Sequence, residues 1–247
     1  MGALIGILCA VVILGRYSLL NSFLYVVHRK SCLKINRAIC TQGPRLVFAC
    51  LKLYAHFKFE PDYSCVNDLP DQFLIICNHQ SLLDIVVFYG YKKGWPVRFV
   101  AKNALGGHVP LVSVMLKTDQ HCIIDKNAGA SQMMQTLDAF SDRIIKNNWI
   151  PLIFPEGTRS KDGKIGRFHA AGFRRLTEKL QLPVVAFALD GGWNIRNLSK
   201  IIKNLHDGSY KIKALKVYDA PKTKQDQLAI LEDAHKRISE QLVQWRS

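Results

Sequence analysis

Residues 74–88, LIICNHQSLLDIVVF, change periodicity within a few positions. Residues 73–77 form an unbroken apolar run of strand length, which reads as a buried strand. From Leu82 onward, apolar residues recur at helical spacing. Between the two lie Asn78, His79 and Gln80, three polar residues where a tight turn must fall. A buried strand feeding a helix is the repeating unit of an α/β domain. The alternation continues with strand-like runs at 97–101, 121–124, 150–154, 183–189 and 210–217. Helical patterns fall at 82–91, 129–147, 170–180 and 224–245. The predicted fold is α/β, with a mixed, mainly parallel sheet flanked by helices.

The turn carries chemistry. Asp84 follows His79 by five positions, and on an ideal helix such positions are rotated by about 140°. The two side chains meet only if His79 lies outside the helix. Ser81 and Asp84, three apart, form a capping-box-like pair, which puts Asp84 in the first helical turn, where negative charge is favoured. His79 then sits at the carboxyl end of a strand, the end at which open α/β sheets bind ligands. Asp84 can accept a hydrogen bond from one ring nitrogen, fixing the tautomer and leaving the other nitrogen to take a proton. The pair lacks the serine of a triad, which leaves room for the substrate's own hydroxyl as nucleophile. Taken alone, the stretch also suits a strand-end histidine beside a helix cap.

A second stretch, IPLIFPEGTRS at 150–160, repeats the pattern. An apolar run stops at Pro155, and Glu156, Gly157, Thr158 and Arg159 follow. Gly157 permits close backbone approach, Arg159 presents a planar fork suited to phosphate, and Glu156 can accept hydrogen bonds from hydroxyls. Together they suit a phosphate-bearing polyol.

The bulk composition agrees with such a partner. Among 247 residues, 34 Lys and Arg stand against 19 Asp and Glu, a formal charge of +15. This balance favours a phospholipid surface, a nucleic acid or a phosphorylated substrate. The 49% hydrophobic content is enough for a sizeable core and excludes wholesale disorder. The seven cysteines show no zinc-like spacing and sit mostly in apolar runs, as in a reduced cytosolic domain.

Residues 3–27 are apolar apart from Arg16, and a basic cluster follows them (His28, Arg29, Lys30, Lys34, Arg37). A bilayer span needs about 20 apolar residues. The position of the cluster argues against a cleaved signal and puts the following domain on the cytoplasmic face of a membrane. The polar residues Tyr17, Ser18, Asn21 and Ser22 equally allow a segment lying in one leaflet. A second, amphipathic helix is expected near 35–59, broken or kinked at Gly43-Pro44. The expected organisation is a membrane-associated helical unit over 1–59 and an α/β domain over 60–247. An apolar N-terminus of this length does not suit a nucleic-acid binder.

The two motifs together carry a resemblance. NHQSLLD resembles the H-x4-D block of the glycerophospholipid acyltransferases, and FPEGTRS resembles their phosphate-binding block. Two weaker blocks follow in order: residues 99–126, with Lys102 at the basic position and Pro110 and Asp125 in register, and LPVVAFALDG, with Pro183 at its proline. Lys126 stands where the family usually has arginine, and Asn103 and Ala104 where it often has lysine and glutamate. The resemblance spans about residues 60–195. It implies transfer of a fatty acyl group from coenzyme A or acyl carrier protein, as co-substrate, to the sn-2 hydroxyl of 1-acyl-glycerol 3-phosphate. The product is phosphatidic acid, and no metal or other cofactor is implied. His79 and Asp84 are the implied catalytic pair. Lys102, Glu156, Gly157, Thr158 and Arg159 are the implied binding residues for lysophosphatidic acid. The alternatives are an acyltransferase for another acceptor (a lysophospholipid, glycerol 3-phosphate or an amino-acid lipid) and a basic membrane-binding module without catalysis. The missing G-x-S-x-G elbow argues against a serine hydrolase.

Overall fold

The computed structural model describes residues 2–92, 94–102, 116–125, 127–195 and 198–247. Two long helices open the chain, α1 (Gly2–Val27) and α2 (Arg29–Ala55). They pack as an antiparallel hairpin, with Gly6 against Tyr54 and the Asn21 side chain bonded to that of Asn36 at 2.6 Å. The expected break at Gly43-Pro44 is corrected: α2 runs through Pro44. A proline inside a helix costs about 3 kcal/mol or more. Burial on both sides of it offsets that cost: Cys32 and Asn36 before it face α1, while Val47, Phe48, Leu51 and Ala55 after it enter the core.

Among the described residues, seven strands form one sheet: β1 (Lys58–Asp62), β2 (Leu74–Cys77), β3 (Val97–Lys102), β4 (Cys122–Ile124), β5 (Ile150–Ile153), β6 (Val184–Asp190) and β7 (Ser209–Tyr218). The order is β1-β7-β6-β2-β5-β3-β4, parallel at every pairing except β6 with β7. The fold class read from the sequence therefore holds. Strand β1 runs across the expected boundary between 59 and 60. Strand β1 pairs with β7 from Lys58 to Asp62, and the last turns of α2 share one apolar cluster with Phe88 and Phe187. Pro61 is tolerated because β1 is an edge strand with a single neighbour.

Helices α3 (Leu83–Tyr91), α4 (Gly129–Asn147), α5 (Ala170–Leu180), α6 (Leu198–Asn204) and α7 (Lys224–Arg246) also belong to the domain. Left-handed Asn148 (φ 53°) ends α4 and turns the chain directly into β5. A capping box of Thr223 and Asp226 starts α7. Side-chain alternation along β2 divides the core. Ile75 and Cys77 pack with α2 and α3, while Leu74 and Ile76 pack with α4, α5 and α7. This clamps the central strands β6, β2 and β5 from both faces and fixes the positions of their carboxyl ends.

Among the described residues, no helix is long and apolar enough to cross a membrane. The hairpin nevertheless exposes large apolar side chains, including Leu8, Val11, Leu19, Phe23 and Val26 on α1 and Leu53 on α2.

Candidate active site

His79 lies two residues beyond β2, in the turn before α3. Its Nδ1 is 2.6 Å from Asp84 Oδ2, so Nε2 is left to face outward chemistry. The helix begins one residue later than the capping pair predicts, with Leu82 as its first flanking residue. Ser81 Oγ accepts from Leu83 N at 3.3 Å, and Asp84 reaches back to the turn. Its Oδ2 accepts from Gln80 N at 2.7 Å, and both of its oxygens lie 3.1 Å from Ser81 N. A fourth donor is the Tyr210 hydroxyl from β7, on Asp84 Oδ1. Asp84 is wholly buried, and these donors replace the water it has lost. Burial, and then the charge of Asp84, push the Tyr210 phenol well above its ordinary range, so it stays a donor.

Three further contacts hold the imidazole in place. The Phe154 ring stacks on it with centroids 3.9 Å apart and planes 18° apart. Glu156 Oε1 accepts from His79 N at 2.7 Å. Ser160 N donates to the His79 carbonyl at 2.7 Å. The side chain of His79 is 15% exposed, enough for one ring edge to reach a substrate. One residue earlier, Asn78 bridges to β6: its amide donates to the Leu189 carbonyl at 2.8 Å and its oxygen accepts from Leu189 N at 2.9 Å. The side chain thus supplies a ladder rung where β2 has ended, and it carries the turn away from the sheet at a fixed height.

The second motif sits beside the first because β5 is the neighbour of β2. Glu156, expected from the resemblance to line the polyol, lies in the structure with both carboxylate oxygens on backbone donors. It is 5% exposed, and its Oε2 accepts from Gly166 N at 2.7 Å while Oε1 holds His79. It fastens two loops together from behind. Burial, opposed by those two backbone donors and reinforced by nearby Asp84, raises its carboxyl above the ordinary range. A side chain at Gly166 would meet Glu156 Oε2 at 2.8 Å, so it would have to push the carboxylate aside. Gly157 has a different reason: its φ is +61°, with open space where a Cβ would project. Thr158 and Arg159 are exposed. Neither oxygen of Glu156 is spent on Arg159, and Arg159 enters no ion pair among the described residues. Lys102 ends β3, opposite Ile124 of β4, and its side chain lies outside the described residues. Asn103, Ala104, Pro110 and Lys126 also lie outside them.

Sequence reasoning missed Tyr210, Gln80 and Asp190. Tyr210 is 126 residues from Asp84, and only alternation along β7 marks it as inward-facing. Sequence spacing also gave no sign of His56, His206 and Asp207, the group whose ligand atoms lie within 4.8 Å of one another among the described residues. All three are exposed, and none belongs to the dyad.

Residues 64–190 match the acyltransferase family model. The 1-acyl-sn-glycerol-3-phosphate acyltransferase of Cocos nucifera is 32% identical over 119 residues, 48% of this chain and 37% of that protein. The enzyme of the same name from Helicobacter pylori is 32% identical over 124 residues, 50% of this chain and 51% of that protein. The matched stretch thus spans about half or less of these curated relatives' length. Among solved structures, the 1-acyl-sn-glycerophosphate (LPA) acyltransferase PlsC from Thermotoga maritima superposes with a TM-score of 0.66 at 22% identity, over 98% of this chain and 94% of that one. At that identity the likeness establishes the fold.

Proposed function

The chain belongs to the acyltransferase family, and we propose that it acylates the sn-2 hydroxyl of a 1-acyl-glycerol 3-phosphate, forming phosphatidic acid for phospholipid synthesis. The observation that carries this reading is His79 Nδ1 held at 2.6 Å by the buried Asp84 carboxylate, beside an exposed Arg159 with no acidic partner among the described residues. The acceptor hydroxyl gives its proton to His79 Nε2 as its oxygen attacks the thioester carbonyl. The carbon–sulfur bond breaks as the tetrahedral centre collapses, an ester forms, and the thiolate leaves with the proton from the imidazolium. A positioned general base contributes about 10²–10⁴-fold. Asp84 orients the ring and stabilises its cation. Arg159 holds the acceptor phosphate, with Lys102 as a second cation, so binding energy distant from the reacting carbon fixes the hydroxyl. The donor is an acyl thioester of coenzyme A or acyl carrier protein.

The apolar face of α1 and the charge of +15 support attachment to the cytoplasmic face of an anionic membrane, where acceptor and product both reside. The test uses membranes carrying the full chain, labelled acyl-coenzyme A or acyl carrier protein, and a panel of acceptors. Label should enter phosphatidic acid from lysophosphatidic acid and be lost in His79→Ala. Equal turnover of a dephosphorylated acceptor, or a fully active His79→Ala variant, overturns the reading.

A further inference from the structure

Helix α7 ends on a residue that no motif marks. Arg246 reaches the carboxyl end of β6, where Nε donates to Asp190 Oδ2 at 2.8 Å and Nη2 to Asp190 Oδ1 at 2.6 Å. The same Nη2 donates to the Gly163 carbonyl at 2.9 Å. Asp190 is buried, and its Oδ1 also accepts from the Gln80 amide at 3.3 Å. Gln80 is buried too, and its oxygen accepts from Trp193 N at 3.3 Å. Its backbone N donates to Asp84 Oδ2, the oxygen that holds His79 Nδ1. The other arm runs through Gly163, whose N donates to Ser160 Oγ at 2.9 Å, and Ser160 N holds the His79 carbonyl. One guanidinium therefore grips both loops that fix the imidazole.

We propose that Arg246 is a positioning residue for the His79–Asp84 pair, acting through Asp190 and Gln80 on one side and Gly163 and Ser160 on the other. The proposal rests on His79 being the general base. The planar fork matters, since two parallel bonds set direction as well as distance. An unpaired Asp190 would be a buried charge, which pulls neighbouring donors out of place or draws in water.

The experiment compares wild type, Arg246→Ala, Arg246→Lys and Gln80→Met, each as the full chain in membranes. Gln80→Met keeps the Arg246–Asp190 pair and cuts its link to the dyad loop, so it serves if Arg246→Ala fails to fold. In Arg246→Ala and Gln80→Met, kcat should fall about ten- to a hundredfold, the scale for a slight misplacement at the reacting centre. KM for donor and acceptor should stay unchanged. Millimolar guanidinium should restore part of kcat in Arg246→Ala only, and Arg246→Lys should resemble Arg246→Ala. A second readout needs no turnover: ethoxyformylation of His79 by diethyl pyrocarbonate, followed by peptide mass spectrometry, should quicken several-fold in both variants. Unchanged kcat and unchanged His79 modification in folded variants, with only a lower melting temperature, reduce Arg246 to a structural staple and overturn the proposal. A raised KM with intact kcat overturns it as well. Failure of the general-base reading is seen separately, as turnover by His79→Ala.

Discussion

Glu156→Gln separates a substrate contact from a loop fastener. The wild-type carboxylate accepts from His79 N and from Gly166 N, each at 2.7 Å. A glutamine has one acceptor oxygen, so its amide nitrogen must face one of these N–H groups, donor against donor. That contact has to open. Hydrogen bonds to charged groups are worth about 1.5–3 kcal/mol each. If the loss falls on holding His79 in line, kcat drops by roughly 10- to 150-fold, at about 1.4 kcal/mol per factor of ten. Stability is a poor readout, because two effects oppose. The variant loses a charge-assisted bond, yet it no longer buries an ion, and burial is the largest influence on the wild-type carboxyl. The sign of the pH dependence follows. A carboxyl raised in the folded state contributes stability that is fully present below its unfolded value and is lost as pH rises through the raised value. Glu156→Gln should flatten that loss in a melting-temperature profile. The deciding assay is steady-state kinetics on folded protein, with acceptor and donor varied separately. A raised acceptor KM with intact kcat would refute the fastener role and return Glu156 to the polyol.

Three further outcomes are expected. Tyr210→Phe removes one of the donors on buried Asp84 and should cost about 1.5–3 kcal/mol, seen as a lower melting temperature together with lower kcat; an unchanged kcat would show that the remaining donors suffice. Arg159→Lys keeps the charge but loses the fork, so acceptor KM should rise by roughly ten- to a hundredfold while donor KM holds, checked by varying each substrate in turn. Removing α1 alone should leave a folded α/β domain that washes from membranes. Removal through residue 59 strips Val47, Phe48, Leu51 and Phe57 from the core, at about 1.5–3 kcal/mol for each large side chain, and should give insoluble protein. Fractionation and circular dichroism of both truncations check this.

The central strands were legible because a strand buried on both faces must be apolar throughout, and each such run here stops abruptly at polar residues. Strand β1 was hidden by the same physics: KFEPD is an edge strand with a mixed burial pattern and a proline, and it reads as the tail of a helix. The helical run through Pro44 was hidden because local propensity does not record the packing that outweighs it. At the site, His79 and Asp84 were legible from spacing, since their separation forces one of them off the helix. Glu156 was half legible. A glutamate beside a strand end looks the same in sequence whether it faces a cleft or the back of a neighbouring loop, and the donors that decide, His79 N and Gly166 N, are backbone groups with no signature of their own. Tyr210 and Arg246 act across 126 and 56 residues of chain, so only the fold brings them to their partners.

Three carboxylates stand near the carboxyl ends of three adjacent strands: Asp190 on β6, Asp84 after β2 and Glu156 after β5. Each takes a donor from the turn that carries His79. Asp84 holds Gln80 N and Ser81 N, Glu156 holds His79 N, and Asp190 holds the Gln80 amide. A buried carboxylate must be compensated. For Asp84 and Glu156 the compensation comes, among the described residues, from hydrogen-bond donors without Lys or Arg. Asp190, alone of the three, takes an arginine, and that arginine comes from the far end of the domain. The division has a consequence for Arg159. Arg159, three residues on in the same loop, is one cation that Glu156 leaves unused. Because backbone N–H groups satisfy Glu156 instead, the guanidinium stays exposed next to the His79 loop, with no acidic partner among the described residues. An anion delivered by a substrate can meet that charge without displacing any group that holds the base.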